Sequence, residues 1–341
     1  MALTLTKIDA TFNDNFGTMG GKMRAVVRTA GGVTPGNFAA APADTVSLTS
    51  SMASGEFGSG TKATFNNSSG AITIDGNKLD LKGIANPLTE RGIKVQLHNG
   101  GINVYTTDGT GYRLNSDGTQ DKDANGSVKV ADQAFDAVAG ALIINNGNAT
   151  GLGGSGINDG GDGVDMLINR QENAVIDAGK GNDTIFNFAK KVDTIKGGDG
   201  NDSIFSVGLS AGAIQGFGAS ADETGADYVK IISSMTGGDI NMGKGKNIID
   251  AAGVALSEVG ISDVAKATST ALLAKSITNG VSKAVNIGAL DSAVDVSTLA
   301  ADLKFGDGKN SLVADTVKGV TITSGGTNAF SLKTVSDAAV S

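Results

Sequence analysis

Three copies of one nine-residue phrase occur within 46 residues: GGDGVDMLI at 160–168, AGKGNDTIF at 178–186 and GGDGNDSIF at 197–205. Their aspartates, Asp165, Asp183 and Asp202, fall 18 and 19 residues apart. A period of about two nonapeptides means one phrase per coil, with the other half-turn filled by different sequence, here RQENAVID and FAKKVDTI. Closely spaced glycines adopt left-handed backbone angles without strain, so the first half of each phrase curls into a cup with its carbonyls turned inward. The second half extends as a short strand that points Leu167, Ile185 and Ile204 into the coil. Coils of this kind stack at the ~4.8 Å spacing of paired strands, which sets cup against cup.

Each cup combines carbonyl oxygens with a carboxylate, and hard oxygen ligands in sets of six to eight suit calcium better than zinc or copper. The candidate ligands are Gly161, Asp162, Gly163 and Asp165 in the first copy, Gly179, Gly181 and Asp183 in the second, and Gly198, Asp199, Gly200 and Asp202 in the third. Because the fillers lack the glycine cup, two or three ions are expected along a single edge, between the Asp165 and Asp183 turns and between the Asp183 and Asp202 turns.

These residues resemble the glycine- and aspartate-rich repeats of the RTX family, the hemolysin-type calcium-binding repeats of secreted bacterial proteins, whose consensus is G-G-x-G-x-D-x-U-x with U a large apolar residue. Two copies fit it throughout, and the copy from Ala178 departs only at its first glycine. The resemblance implies a parallel β-roll or β-solenoid and export by type I secretion without a cleaved signal peptide. The expected localisation is therefore extracellular or at the cell surface.

Composition agrees with thin, stacked β structure. Fifty-one glycines with three prolines, no tryptophan and 4% aromatics leave few large side chains for a conventional core. A net charge of −8 disfavours nucleic acid as a partner and fits a chain that neutralises itself with divalent cations. No window approaches the ~20 apolar residues of a membrane span, and the absence of cysteine excludes disulfides and thiolate metal sites.

The expected fold class is all-β, with a β-rich N-terminal domain over 1–150 and a solenoid over 151–341. The solenoid is read as calcium-binding in 160–205 and degenerate after 206, and about ten coils in all. TVSLTS, ATFNN, AITIDGNKLDL, GIKVQL and GINVYTT alternate apolar and polar residues between turn signals, which predicts short strands. The DG rhythm of TTDGTGYRLNSDGT reads as hairpin turns. Ala134, Phe135, Val138, Ala141 and Leu142 have helical spacing and predict a connecting helix, and the glycine-rich 145–159 marks the domain boundary. After Phe205 the phrase decays: Asp227 lies outside the phased set, while MGKGKNIID and FGDGKNSLV put Asn247 and Asn310 where the aspartate belongs. An amide keeps the turn and removes the anionic ligand, so those coils are expected to stack without metal, through asparagine ladders. The segment 262–283 reads equally as a surface helix or as solenoid.

No enzyme is expected. The single histidine, His98, rules out an H-E-x-x-H zinc site. GLSAG at 208–212 matches a nucleophile elbow only in its letters, since that motif needs a strand, a turn and a helix. The favoured reading is a calcium-ordered structural subunit of a filament, sheath or surface layer, polymerising head to tail with itself. The alternative is an adhesin whose N-terminal domain grips a ligand, with cell-surface components as partners. A secreted hydrolase ranks third.

Overall fold

The computed structural model describes residues 45–49, 62–66, 69–90, 92–98, 101–137, 139–145, 160–163, 165–216, 225, 227–263, 267, 269–278, 283–289 and 291–341. They form strands and turns, and none of them is helical. Four strands near the N-terminus, β1 (Thr45–Thr49), β2 (Lys62–Asn66), β3 (Ile72–Ile74) and β4 (Asn77–Lys78), make an antiparallel meander. A second meander follows in β5 (Gly92–His98), β6 (Gly101–Thr106) and β7 (Gly111–Asn115). These are the segments that alternation picks out, and the DG motifs form tight turns: Asp108 Oδ1 after β6 accepts the Thr110 N–H at 2.9 Å.

From β8 (Leu142–Asn145) onward every pairing between successive coils is parallel. One side of the coil carries β9 (Met166–Asn169), β11 (Thr184–Asn187), β13 (Ser203–Ser206) and β15 (Tyr228–Ile231). It continues with the longer β17 (Lys246–Ser257), β19 (Ser269–Thr278), β21 (Asp291–Ala300), β23 (Lys309–Lys318) and β25 (Thr327–Ser336). The other side carries β10 (Val175–Asp177), β12 (Lys191–Lys196), β14 (Ala211–Gln215), β16 (Asp239–Met242) and β18 (Gly260–Asp263), then β20 (Val285–Ile287), β22 (Leu303–Phe305), β24 (Thr321–Thr323) and β26 (Ala339–Val340). Two strands per coil over nine coils form an all-β, largely parallel β-solenoid roughly 40 Å long at the cross-strand spacing. The expectation of about ten coils is corrected to nine, because several coils in the middle of the stack are longer: Ser203 pairs with Tyr228, 25 residues on, and Ile248 with Ala271, 23 residues on.

The coil interior is two facing columns. On the long side Leu167, Ile185, Ile204, Val229, Ile249, Leu272, Val294 and Leu312 lie in register and are buried. On the short side Ile176, Ile195, Ile214, Ile240, Ile261, Val285, Leu303 and Ile322 do the same. The three inward residues read from the phrases, Leu167, Ile185 and Ile204, occupy the long-side column. The described residues of 262–283 belong to the solenoid: β19 pairs with β17 and β21 on either side.

Among the described residues of 134–142 none is helical. Gln96, buried on β5, donates from Nε2 to the carbonyls of Asp136 and Ala139 at 2.7 and 2.9 Å and accepts the Asp136 N–H at 3.0 Å. A side chain forty residues away thereby takes the backbone groups that a helix would pair internally. Phe135 then packs edge-on against Tyr105, with Lys94 Nζ 4.0 Å from its ring centroid. The boundary expected within 145–159 lies, apart from Asn145, outside the described residues; β8, just before it, pairs antiparallel with β5 and parallel with β9, so one thirteen-stranded sheet runs from the meander into the solenoid.

The outer face of the first long-side strands is also covered. Met166, Ile168, Phe186, Phe205 and Tyr228 point away from the coil and join Phe65, Ile72, Ile93 and Ile102 in a second core. Phe186 and Phe205 stack at 5.1 Å, and Tyr228 meets Phe205 edge-on at 5.8 Å. Phe186 is fully buried, so Phe186→Ala is expected to cost about 3–5 kcal/mol. Urea denaturation of the two proteins measures this, and a loss below about 1 kcal/mol would show that the ladder carries little of the packing.

A candidate cation edge

The glycine-rich turns before β11 and β13 each link a short-side strand to the next long-side strand, and the turn before β9 stacks on them along the same edge of the solenoid. Gly161, Gly179 and Gly198 all have positive φ, at 98°, 99° and 115°. The Gly161 carbonyl accepts the Lys180 N–H at 2.7 Å and the Gly179 carbonyl accepts the Asp199 N–H at 2.8 Å, coil to coil. A Cβ on Gly179 would stand 1.9 Å from the Gly161 oxygen, and one on Gly198 the same distance from the Gly179 oxygen. Gly163, Gly181 and Gly200 repeat the arrangement a little further along the turn: a Cβ on Gly181 would meet the Gly163 carbonyl at 2.1 Å, and one on Gly200 the Gly181 carbonyl at 1.7 Å. Only glycine permits turns this close.

The aspartates divide into two groups. Asp165, Asp183 and Asp202 are buried, 1% exposed each, and face inward just before the apolar column. Asp162 and Asp199 lie on the surface, where Asp162 pairs with Lys180 at 3.0 Å. The phrase thus supplies one inward carboxylate per coil. Their order is set by a ladder: the backbone N–H of Ala141 donates to Asp165 Oδ1 at 2.6 Å, that of Asp165 to Asp183 Oδ1 at 2.7 Å, and that of Asp183 to Asp202 Oδ1 at 2.8 Å. The ladder then runs through Asp227, whose Oδ1 accepts the Asp202 N–H at 3.1 Å, to Asn247, whose Oδ1 accepts the Asp227 N–H at 3.3 Å. Asp227 therefore belongs to the column from which its sequence spacing had excluded it. The residues that lengthen this spacing fall between Gly216 and Asp227, mostly outside the described residues, and the strands on either side keep their register, Ser203–Ser206 against Tyr228–Ile231.

Asn247 shows what the second side-chain atom meets. Its Nδ2 donates to the carbonyl of Gly243, four residues earlier, at 2.8 Å. The carbonyls four residues before the aspartates are those of Gly161, Gly179 and Gly198. With its Oδ1 in the same ladder position, Asp183 carries an acceptor, Oδ2, as the second side-chain atom where Asn247 carries a donor. Asp183 Oδ2 is buried without a hydrogen-bond partner. Burial, and then the charges of Asp202, Asp165 and Asp177, push its carboxyl up to about 9, against the lowering effect of the Asp165 N–H. Something positive belongs at this position, a proton or a hard cation held by the carboxylate and glycine carbonyls. Among the described residues no three His, Cys, Asp or Glu side chains gather at one point, so carbonyls would have to complete any coordination shell.

Two polar features escaped the sequence reading. Four residues after each aspartate comes a further inward position, and there Asn145, Asn169, Asn187 and Ser206 form a buried ladder with steps of 2.9, 2.8 and 2.9 Å. An asparagine ladder thus also occurs in the early coils, at the opposite end of the strands from the late step in which Asn310 Nδ2 meets Asn328 Oδ1 at 3.1 Å. Its signal was present in DMLIN and DTIFN, where Asp, Leu or Ile, and Asn alternate on one face. Second, the column of Asn247 continues through Thr270 and Ser292, both fully buried, to Asn310.

The letters of the nucleophile elbow fall where β13 turns into β14, strand to strand, and the Ser210 hydroxyl donates to the Lys190 carbonyl at 3.3 Å. Comparison of the chain with protein-family models, with curated proteins and with solved structures finds no match.

Proposed function

We propose that this chain is an extracellular structural subunit, a solenoid scaffold that calcium orders and that assembles with copies of itself into a filament, sheath or surface layer. The single observation that carries the calcium reading is Asp183 Oδ2, a buried carboxylate oxygen with no donor at a position where Asn247 places an N–H. Asp165, Asp183 and Asp202, with the carbonyls of Gly161, Gly179 and Gly198, would hold the ions along one edge. Calcium there would supply positive charge beside the buried Asp183 carboxylate. An ion that binds the stacked coils and not the unfolded chain stabilises folding by mass action, so the millimolar calcium found outside cells favours the ordered rod.

Self-association is supported by the sheet edges. In this chain β25 and β26 end the two sheets at one end of the stack, with Val335 and Val340 exposed beside them. Exposed strand edges flanked by apolar residues are templates for another strand. At the opposite end the long sheet terminates in β7 and the short one in β10, so the two edges there are staggered. The adhesin reading has one observation in its favour, an open cleft of about 850 Å³ near the N-terminus lined by residues that include Ile72, Lys78, Leu79, Leu81, Ile84 and Glu90.

The two readings separate in one experiment. Adding millimolar calcium to chelator-treated chain is expected to raise the β signal in circular dichroism first and light scattering second. Scattering that grows equally fast in excess chelator would remove calcium from assembly. A calcium-folded chain that stays monomeric at high concentration would favour the adhesin.

A further inference from the structure

Around Asn310, the last inward asparagine before the final coil, the oxygens outnumber the donors. Its Nδ2 lies 2.9 Å from the Gly306 carbonyl, 3.4 Å from that of Gly308 and 3.1 Å from that of Gly325. It is also 3.1 Å from Ser324 Oγ and 3.1 Å from Asn328 Oδ1. A primary amide has two hydrogens. Five oxygens from two successive turns therefore converge on one amide nitrogen; the Ser324 hydroxyl also reaches Asn328 Oδ1 and the Gly325 carbonyl, and the Thr327 N–H donates to the Gly308 carbonyl, so four donors face five oxygens. The Oδ1 of the same amide, 2% exposed at residue level, is buried with no hydrogen-bond partner. Asn247 has neither feature: its Nδ2 donates to the one carbonyl of Gly243 and its Oδ1 accepts the Asp227 N–H. Asparagine in this column is thus not crowded as a rule, and the crowding belongs to the turns 306–310 and 324–328.

We propose that these two turns form a second, weak calcium site made of neutral oxygens, which the Asn310 amide plugs with its nitrogen and completes with its oxygen when the ion enters. A half-turn about the Cβ–Cγ bond exchanges the two atoms. Oδ1 then joins the carbonyls of Gly306, Gly308 and Gly325, Ser324 Oγ and Asn328 Oδ1, six oxygens in all, which is within the coordination number calcium takes from carbonyl, hydroxyl and amide groups. The displaced nitrogen turns to the side where the ladder of Asn247 points its oxygen, toward the preceding coil. There stands Ser292, the register partner of Asn310, with its fully buried Oγ also lacking a hydrogen-bond partner. Calcium affinity follows the count of charged ligands, so a neutral set belongs at the weak end, with Kd about 10⁻⁴–10⁻³ M. Such a site fills outside a cell and stays empty at cytosolic calcium. It is independent of Asp183, which lies in coils much earlier in the stack.

The test uses the full chain labelled with ¹⁵N, in which the Asn310 side-chain NH₂ signal is identified by its loss in Asn310→Asp. Titration with calcium chloride at about 0.15 M potassium chloride is expected to move that signal saturably, with a midpoint of about 10⁻⁴–10⁻³ M. Asn310→Asp adds an anionic ligand and is expected to add a calorimetric binding event at least about tenfold tighter. An Asn310 signal that stays in place up to about 10⁻² M calcium overturns the site, as does one that responds fully to potassium alone. The backbone amide of Asp165, bonded to Asp183 Oδ1, reports the earlier column separately, so failure there and failure here are distinguishable.

Discussion

Stripped of divalent cation, the protein is expected to become less stable as the pH rises from about 4 to about 9, and Asp183→Asn is expected to remove most of that slope. The Asp183 carboxyl is raised from 3.8 to about 9 in the folded state. Between those values the folded state holds a proton that the unfolded chain has released. The folded state binds more protons, so raising the pH draws the equilibrium toward unfolding; the stabilisation is complete below pH 4 and gone above pH 9. At about 1.4 kcal/mol per unit the full span is on the order of several kcal/mol. An asparagine at 183 keeps the acceptor for the Asp165 N–H and adds a donor for the Gly179 carbonyl, the arrangement Asn247 has with Gly243. Urea melts at several pH values in chelator measure both proteins. Stability that rises or stays flat between pH 5 and 8 in the parent protein would contradict the buried, unpartnered carboxylate. With calcium present the order reverses: the parent gains more stability than Asp183→Asn, since the ion replaces the proton and the amide binds it less well.

The second large effect concerns the backbone. Gly198→Ala is expected to destabilise the fold by about 3–5 kcal/mol, because a methyl group 1.9 Å from the Gly179 oxygen forces two turns apart. The hydrogen bond from Asp199 to the Gly179 carbonyl and the ladder step from Asp183 to Asp202 lie in those same two turns and go with it. Gly253→Ala serves as the comparison. Its φ is 79°, so alanine is strained there too, yet no heavy atom lies within 4 Å of the new methyl. It is expected to cost about 1–2 kcal/mol. A thermal melt should place the Tm of Gly198→Ala several degrees below that of Gly253→Ala. Equal melting temperatures would mean that the turns are free to separate and that the close stacking contributes nothing.

Much of the solenoid was legible because its pattern is periodic at two scales. Alternation along a strand assigned Leu167, Ile185 and Ile204 to the interior, and the spacing of Asp165, Asp183 and Asp202 aligned one coil with the next. The same alignment carried Asn247 and Asn310 into the column. Thr270 and Ser292 were missed because neither letter resembles aspartate; they share its burial and its register, and register is a property of neighbouring coils. Asp227 was excluded for a related reason. Spacing counts residues through a turn, whereas strand pairing ignores how many residues the turn contains.

Phe186 and Phe205 show the same division from the outer face. In TIF and SIF two apolar residues stand side by side, and alternation sends the second of each pair outward. The sequence does not say what meets it there; the meander of β5, β6 and β7 and the strands before it supply the cover. Likewise the helical spacing of Ala134, Phe135 and Leu142 was genuine, and Gln96 overrode it from another strand. The sequence by itself determined what repeats within a strand or from coil to coil: the inward carboxylate, the apolar position behind it and the glycine turn before it. Only the tertiary structure decided which atoms of distant segments meet: the donor opposite each carboxylate oxygen, the surface over Phe186, the crowd of oxygens at Asn310. Backbone geometry acts over a few residues and leaves its period in the sequence. Hydrogen bonding and burial depend on whatever chain arrives alongside, and that partner is written elsewhere.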